Sequence, residues 1–278
     1  MKKSLALFFV IINVSFCISQ IKGHCKDESG KPIPYANIGI ENTSYGTVSD
    51  KEGDFIIDSK FLSENNTIII SCLGYRTKTI IVTKKAEIEI TLEPNVYELK
   101  EVTIGFPKYK NKKIGNNLLS RNVVVAFSSH NLGAEVGKFI KISKGKSYIV
   151  EKIHFNISEM GYKKGVFRIN FYNATDEKNI DNERINTKDI IMEVSNIGDV
   201  DVDVTEENLI FSNSFLISIE CVEYFEKTPI VSVENKNIYF SSNVFCGPVY
   251  YRSNKITKWT PTKSKYNLCL GIQLFVKY

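Results

Sequence analysis

Apolar and polar residues alternate with a period of two along most of the chain, and no other feature limits the fold as tightly. In residues 35–41 the apolar set is Ala36, Ile38 and Ile40, with Asn37, Gly39 and Glu41 opposite. In residues 86–93 it is Ile88, Ile90 and Leu92, with Glu87, Glu89, Thr91 and Glu93 opposite. A strand turns alternate side chains to opposite faces, so this pattern describes antiparallel strands with one face buried and one wetted. Residues 66–71 are more uniformly apolar, which suits a central strand. Turn clusters punctuate the series: Glu28-Ser29-Gly30-Lys31-Pro32, and Asp50-Lys51-Glu52-Gly53, where Gly53 is free to take positive φ. Residues 21–93 therefore read as seven short strands of a small all-β module.

The segment before this module reads as a secretory leader. Lys2 and Lys3 give a positive start, residues 5–17 are apolar, and small residues at Cys17 and Ser19 predict cleavage before Gln20. The run is shorter than the roughly 20 residues that a membrane-spanning helix needs, and no later segment approaches that length. Removing the two leader lysines lowers the formal charge from +5 to +3, too weak a bias for a nucleic-acid footprint. Lys108, Lys110, Lys112 and Lys113 form the densest cationic run. Between Pro94 and Pro107 and through that run, residues 95–115 read as a linker. Five cysteines then remain: Cys25, Cys72, Cys221, Cys246 and Cys269. An odd number cannot pair completely within one chain. Cys221 shares a face with Phe215, Ile217 and Ile219 and reads as a buried thiol. Cys25 and Cys72 are close enough in the module's pattern to meet, but connectivity cannot be read from spacing.

Several of the turn and core residues also carry a family resemblance. Gly23, Asp27, Gly30, Pro32, Pro34 and Ala36-Asn37, then Gly46-Thr47-Val48-Ser49-Asp50, Gly53 and Phe55, then Leu73-Gly74-Tyr75, resemble the carboxypeptidase-regulatory-like domain. The resemblance implies a seven-stranded transthyretin-like sandwich in exported proteins of Bacteroidota, often ahead of TonB-dependent receptors. It implies no activity, since these positions are turn glycines and core residues. Residues 96–103 resemble the segment that follows this domain in receptor chains. About 165 residues lie beyond the linker, too few for a 22-stranded transporter barrel.

Residues 116–278 are again strand-rich. Phe167, Ile169 and Phe171 alternate with Arg168, Asn170 and Tyr172, and residues 190–194, 200–204, 209–222, 230–233 and 268–276 continue the pattern. Residues 133–150 and 167–172, Val202-Asp203-Val204 and Trp259 resemble a second β-domain of uncharacterised envelope proteins, which implies a jelly-roll-like sandwich. The expected order is a leader (1–19), the first sandwich (20–94), a linker (95–115) and a second sandwich (116–278). The alternative for the last part is an eight-stranded outer-membrane barrel, suggested by the terminal alternation of Leu268, Leu270, Ile272, Leu274, Val276 and Tyr278.

Few residues suggest chemistry. Asp199, Asp201 and Asp203 would project from one face of a strand and form a weak candidate calcium site; the bland reading is a solvent-facing strand side. An EF-hand is excluded, because Val204 and Ile210 stand where its glycine and glutamate belong. His24, His130 and His154 fall in no catalytic or zinc motif. Tyr250, Tyr251, Arg252 and Trp259 cluster around the single tryptophan and form the candidate ligand-binding patch, where rings and a guanidinium stack on a sugar or grip a peptide. The competing reading is that Trp259 caps the core. The sequence thus predicts a non-enzymatic, exported envelope protein that binds a glycan, a peptide or an envelope partner. It predicts no cofactor and no nucleic-acid partner, and any membrane association without a transmembrane helix. A hydrolase with a site assembled in space is the remaining alternative.

Overall fold

The computed structural model describes residues 20–63, 65–82, 87–95, 109–116, 120–128, 132–226, 237–263 and 265–278. The expected leader, most of the expected linker, His130 and the strand expected at 230–233 lie outside the described residues. No described helix is long and apolar enough to cross a membrane.

The first sandwich consists of β1 (Gln20–Asp27), β2 (Asn37–Ile40), β3 (Gly46–Val48), β4 (Asp54–Asp58), β5 (Asn66–Ser71), β6 (Lys78–Val82) and β7 (Ile88–Leu92). A three-stranded sheet, β4-β1-β7, faces a four-stranded sheet, β3-β2-β5-β6. Ile21, Cys25, Phe55, Ile57, Ile88, Ile90 and Leu92 meet Ile38, Ile40, Ile68 and Ile70 between them. The alternation seen at residues 86–93 is realised, with Ile88, Ile90 and Leu92 buried and Glu89 exposed. β5 is central, as its uniform apolarity predicts. Both turn clusters close as read. Asp27 accepts the backbone N–H groups of Ser29 and Lys31, and Asp50 accepts those of Glu52 and Asp54. Gly53 has φ +82, and a Cβ there would lie 2.4 Å from the Cys25 carbonyl oxygen, so only glycine fits.

The second unit adds β8 (Asn111–Gly115), β9 (Ser120–Ser128), β10 (Glu135–Ile140), β11 (Tyr148–Met160), β12 (Lys164–Ala174), β13 (Ile180–Arg184), β14 (Ile190–Val194), β15 (Gly198–Asp203), β16 (Leu209–Phe211), β17 (Phe215–Phe225), β18 (Asn237–Asn243), β19 (Tyr250–Arg252), β20 (Thr260–Pro261), β21 (Cys269–Leu270) and β22 (Ile272–Lys277). A seven-stranded sheet runs β13-β12-β17-β10-β19-β20, with β14 also on β12. An eight-stranded sheet runs β21-β18-β11-β22-β8, with β15 and β16 on β11 and β9 on β18. Phe155, Phe167, Phe171, Phe215, Phe240, Ile272 and Leu274 fill the space between the sheets. The chain is therefore all-β, a transthyretin-like sandwich followed by a jelly-roll-like sandwich.

Five expectations are corrected. The strands of the second unit form two open sheets over a packed interior rather than the closed ring of the barrel alternative. The strand expected over residues 209–222 breaks between β16 and β17, and Gly271 divides the final one. Part of the expected linker is strand: β8 pairs with β22, placing Lys113 opposite Phe275. Alternation sets Arg168, Asn170 and Tyr172 opposite the apolar face of Phe167, Ile169 and Phe171, where a half-wetted strand would meet water, yet all three are fully buried. The first sandwich covers part of that face, where Tyr35 and Val48 pack on Val166 and Val222.

Burying that face brings charge into the interior. Arg168 donates to both Glu220 oxygens, from Nε at 2.9 Å and from Nη2 at 2.8 Å. Its third nitrogen, Nη1, donates to the Tyr35 carbonyl of the other sandwich at 2.8 Å. Glu135 accepts from Arg252 Nε at 2.9 Å, Tyr172 Oη at 2.8 Å, Asn170 Nδ2 at 3.1 Å and Ser218 Oγ. Buried ions are tolerated only with such complete partnering. Further contacts fasten the seam: Asn254 Nδ2 donates to the Tyr45 carbonyl at 2.9 Å, and Lys51 pairs with Glu193.

Candidate ligand-binding cleft

The four residues singled out in the sequence do not form one displayed patch. β19 alternates, burying Tyr250 and Arg252 and leaving Tyr251 46% exposed on the opposite face. Arg252 is unavailable to a ligand: its guanidinium is held by Glu135, by the Asn182 and Lys255 carbonyls, and against the ring of Tyr172 at 4.6 Å. The reason is long-range. Glu135, on the neighbouring β10, is buried and needs a cation opposite it, and β10 pairs Glu135 with Arg252 directly.

Tyr250 and Trp259 do line a cleft, of about 560 Å³, with Lys258, Pro261 and the segment from Glu177 to Asn182. That segment turns tightly because Asp176 accepts the backbone N–H groups of Lys178 and Asn179 and the Asn179 amide. Tyr250 ties the turn to β19 by donating its hydroxyl to the Glu177 carbonyl at 2.9 Å, and burial raises that phenol to about 12. Trp259 is set edge-on to Tyr172 at 5.2 Å, with the Arg252 guanidinium 4.5 Å over its ring. Its position is thus fixed from behind by packing. Its Nε1 is buried and meets no acceptor among the described residues, and the same holds for Thr262 Oγ1. Buried indole N–H groups ordinarily find a partner. The cleft so combines an anchored indole with exposed Asp181 and Lys258 and the amide side chain of Asn182.

Two larger grooves lie along the seam between the sandwiches, but the charged groups on their walls are already engaged. In the one of about 720 Å³, Arg184 pairs with Asp189, Lys255 with Glu183, and both ends of the Asn186 amide bond backbone. Cys72 also lines it, with burial raising the thiol to about 11. The groove of about 600 Å³ has Asp50 and Asp58 on its wall, one committed to its turn and the other to Lys60.

The aspartate strand follows the bland reading. On β15 the valines turn inward and Asp199, Asp201 and Asp203 are exposed. Asp201 bonds His154 and Lys152, Asp199 accepts from Asn156, and Asp203 accepts the Thr205 N–H. The three carboxylates are spent separately on neighbours rather than converging, and no group of metal-ligating side chains is found among the described residues. His24 bonds Asp54 at the surface. Cys246 and Cys269 form a disulfide, a pairing the spacing did not reveal, whereas Cys25, Cys72 and Cys221 are free thiols.

Residues 21–104 match the family model of the CarboxypepD_reg-like domain. The sequence is 28% identical over 101 residues to the TonB-dependent receptor SusC of Bacteroides thetaiotaomicron, 36% of this chain and 10% of the receptor. It is 27% identical over 113 residues to the TonB-dependent receptor P39 of Formosa agariphila, 38% of this chain and 11% of that protein. The chain thus spans about a tenth of the length of these relatives. Among solved structures, a DUF3823 family protein from Bacteroides ovatus aligns over 91% of this chain and 98% of its own, at 10% identity and TM-score 0.22. The cysteine protease and lectin-like domains of Cwp84 from Clostridium difficile align over 85% of this chain and 53% of theirs, at 11% identity and TM-score 0.37. The sequence matches fall on the first sandwich, which is similar to a CarboxypepD_reg-like domain; the structural likenesses are too slight to carry an argument.

Proposed function

We propose that this chain is a non-catalytic, exported protein of the bacterial cell envelope, and that the cleft at Trp259 binds a saccharide. One observation carries the ligand reading: an indole locked in place by Tyr172 and Arg252 lines a cleft that also carries Lys258, Asp181 and Asn182. A sugar offers C–H faces to the ring, and hydroxyl groups to the ammonium, the carboxylate and the Asn182 amide. The envelope reading is supported by the leader-like segment at residues 1–19, by the receptor relatives of the first domain, and by the Cys246–Cys269 disulfide, which suits an oxidising compartment. In this reading residues 20–94 and 111–278 are the two working domains, the second beginning with β8. The first acts as a platform fixed to the second by the Arg168–Tyr35 bond, with an envelope protein or glycan as partner and no cofactor or nucleic acid involved.

A glycan array probed with residues 20–278 tests the reading, followed by calorimetric titration of any hit. Trp259→Ala removes the ring, and Lys258→Ala alters only the rim. Affinity should fall with both while the melting temperature holds for Lys258→Ala. An array without hits, or a hit indifferent to both substitutions, removes the saccharide assignment.

A further inference from the structure

A second feature stands apart from the cleft and does not depend on it. The disulfide joins the turn after β18 to β21. Immediately before Cys246 the backbone enters the left-handed region at Phe245, φ 59, and the facing turn does so at Asn267, φ 43. Asparagine adopts that conformation readily, but a bulky ring there is an outlier. The two turns are clamped together: Phe245 N–H donates to the Tyr266 carbonyl at 2.9 Å, and the disulfide lies next to that bond. The outcome is exposure rather than burial. Phe245 is 76% exposed, more than any other large apolar side chain among the described residues, and Tyr266 is 53% exposed. Strained backbone that persists to display an aromatic ring points to function.

The chain segment that carries these rings has charge of one sign. Residues 237–278 contain Arg252 and Lys255, Lys258, Lys263, Lys265 and Lys277, but no aspartate or glutamate. Arg252, Lys255 and Lys277 are neutralised by Glu135, Glu183 and Glu151. Lys258, Lys263 and Lys265 have no ion-pair partner among the described residues. Lys263 and Lys265 flank the tip, both exposed, and the Lys265 ammonium lies 5.8 Å from the Tyr266 ring centroid. Exposed rings beside unopposed ammonium groups match the interfacial zone of a bilayer, where rings settle at the headgroup boundary and lysines meet anionic lipid. Their charge is complementary to such a surface, and no acidic residue of these turns opposes it.

We propose that the disulfide-clamped tip formed by Phe245 and Tyr266, flanked by Lys263 and Lys265, docks this protein onto an anionic lipid surface. The test is co-sedimentation of residues 20–278 with phosphatidylcholine vesicles, with and without one part in three of phosphatidylglycerol. Partitioning should favour the anionic vesicles by about tenfold and weaken with salt. Phe245→Asn removes the ring and suits the left-handed backbone, so partitioning should fall about tenfold while the melting temperature holds or rises. Lys263→Gln with Lys265→Gln should abolish the preference for anionic vesicles. Phe245→Trp should show a blue shift in emission on binding. The proposal is overturned if the parent protein does not partition, if Phe245→Asn partitions equally, or if binding depends on Trp259 and not on Phe245.

Discussion

Arg168 Nη1 donates to the carbonyl oxygen of Tyr35 at 2.8 Å, linking the buried interior of the second sandwich to the first. The same guanidinium holds Glu220 in a two-point bond, so one side chain serves both an internal ion pair and the seam between domains. Arg168→Met should leave Glu220 buried without its counterion and destabilise the protein by about 3–5 kcal/mol. Adding Glu220→Leu should recover much of that loss, because removing both charges removes the unpaired one. Urea denaturation of the two variants checks this, and equal midpoints for single and double variants would contradict it.

Acid should act through the same pair. Burial pushes the Glu220 carboxyl up, but the Arg168 guanidinium beside it more than offsets this and holds it below the ordinary carboxylate value. A carboxyl lowered in the folded state stabilises fully above its unfolded value, about 4.3, and loses that contribution as pH falls through the folded value. The urea midpoint should therefore drop on acidification below about pH 4. Glu220→Gln starts less stable but should show a shallower drop over the same interval. Parallel slopes would assign the acid sensitivity to other carboxyls.

How far these features were legible in the sequence depends on the range of the interactions. The turn at Gly53 and the alternation of Ile88, Ile90 and Leu92 are local, and both are realised. Valines inward and aspartates outward on β15 follow from the same rule. Arg168 and Arg252 were misjudged for one reason. Alternation tells which residues share a face, not whether water or another layer covers it. Their counterions lie far off in the chain, Glu220 by 52 residues and Glu135 by 117. The Cys246–Cys269 bridge is similarly silent in spacing, because β18 and β21 meet only through sheet pairing. Trp259 reads from sequence as ligand contact or as core cap; it packs edge-on against Tyr172 and lines the cleft, two places that alternation does not separate.

The thiols should be sheltered. Burial raises Cys25 and Cys221 to about 12 and Cys72 to about 11. Thiolate is the reactive form, so at pH 8 native residues 20–278 should react slowly with a disulfide reagent. Denaturation without reductant should release three thiols, Cys25, Cys72 and Cys221, and reduction should release the remaining pair. Rapid native labelling would show that the core opens readily.

Removing the disulfide should be felt as stability. It closes a loop with a sequence separation of 23, for which chain-entropy arguments give about 3 kcal/mol. Cys246→Ser with Cys269→Ser should lower stability by about that amount. Asn116, whose amide also donates to the Leu270 carbonyl at 3.1 Å, holds the neighbouring strands, so the fold itself should survive. Circular dichroism and urea titration together distinguish a weakened fold from a lost one.

Gly23 is required by what covers it. It pairs with Phe55 across β1 and β4, and a Cβ added to Gly23 would lie 2.0 Å from the end of the Phe55 ring. That ring is 3% exposed and belongs to the first core, so it has little room to retreat. Gly23→Ala should therefore cost about 1–3 kcal/mol by overpacking, although alanine otherwise suits a strand better than glycine. Phe55→Leu alone should also destabilise, by leaving space where the ring lay. In the double variant the new methyl group occupies part of that space, so the combined loss should be smaller than the two single losses added together. Thermal denaturation of the four proteins gives the coupling directly; strict additivity would mean that ring and glycine do not constrain each other.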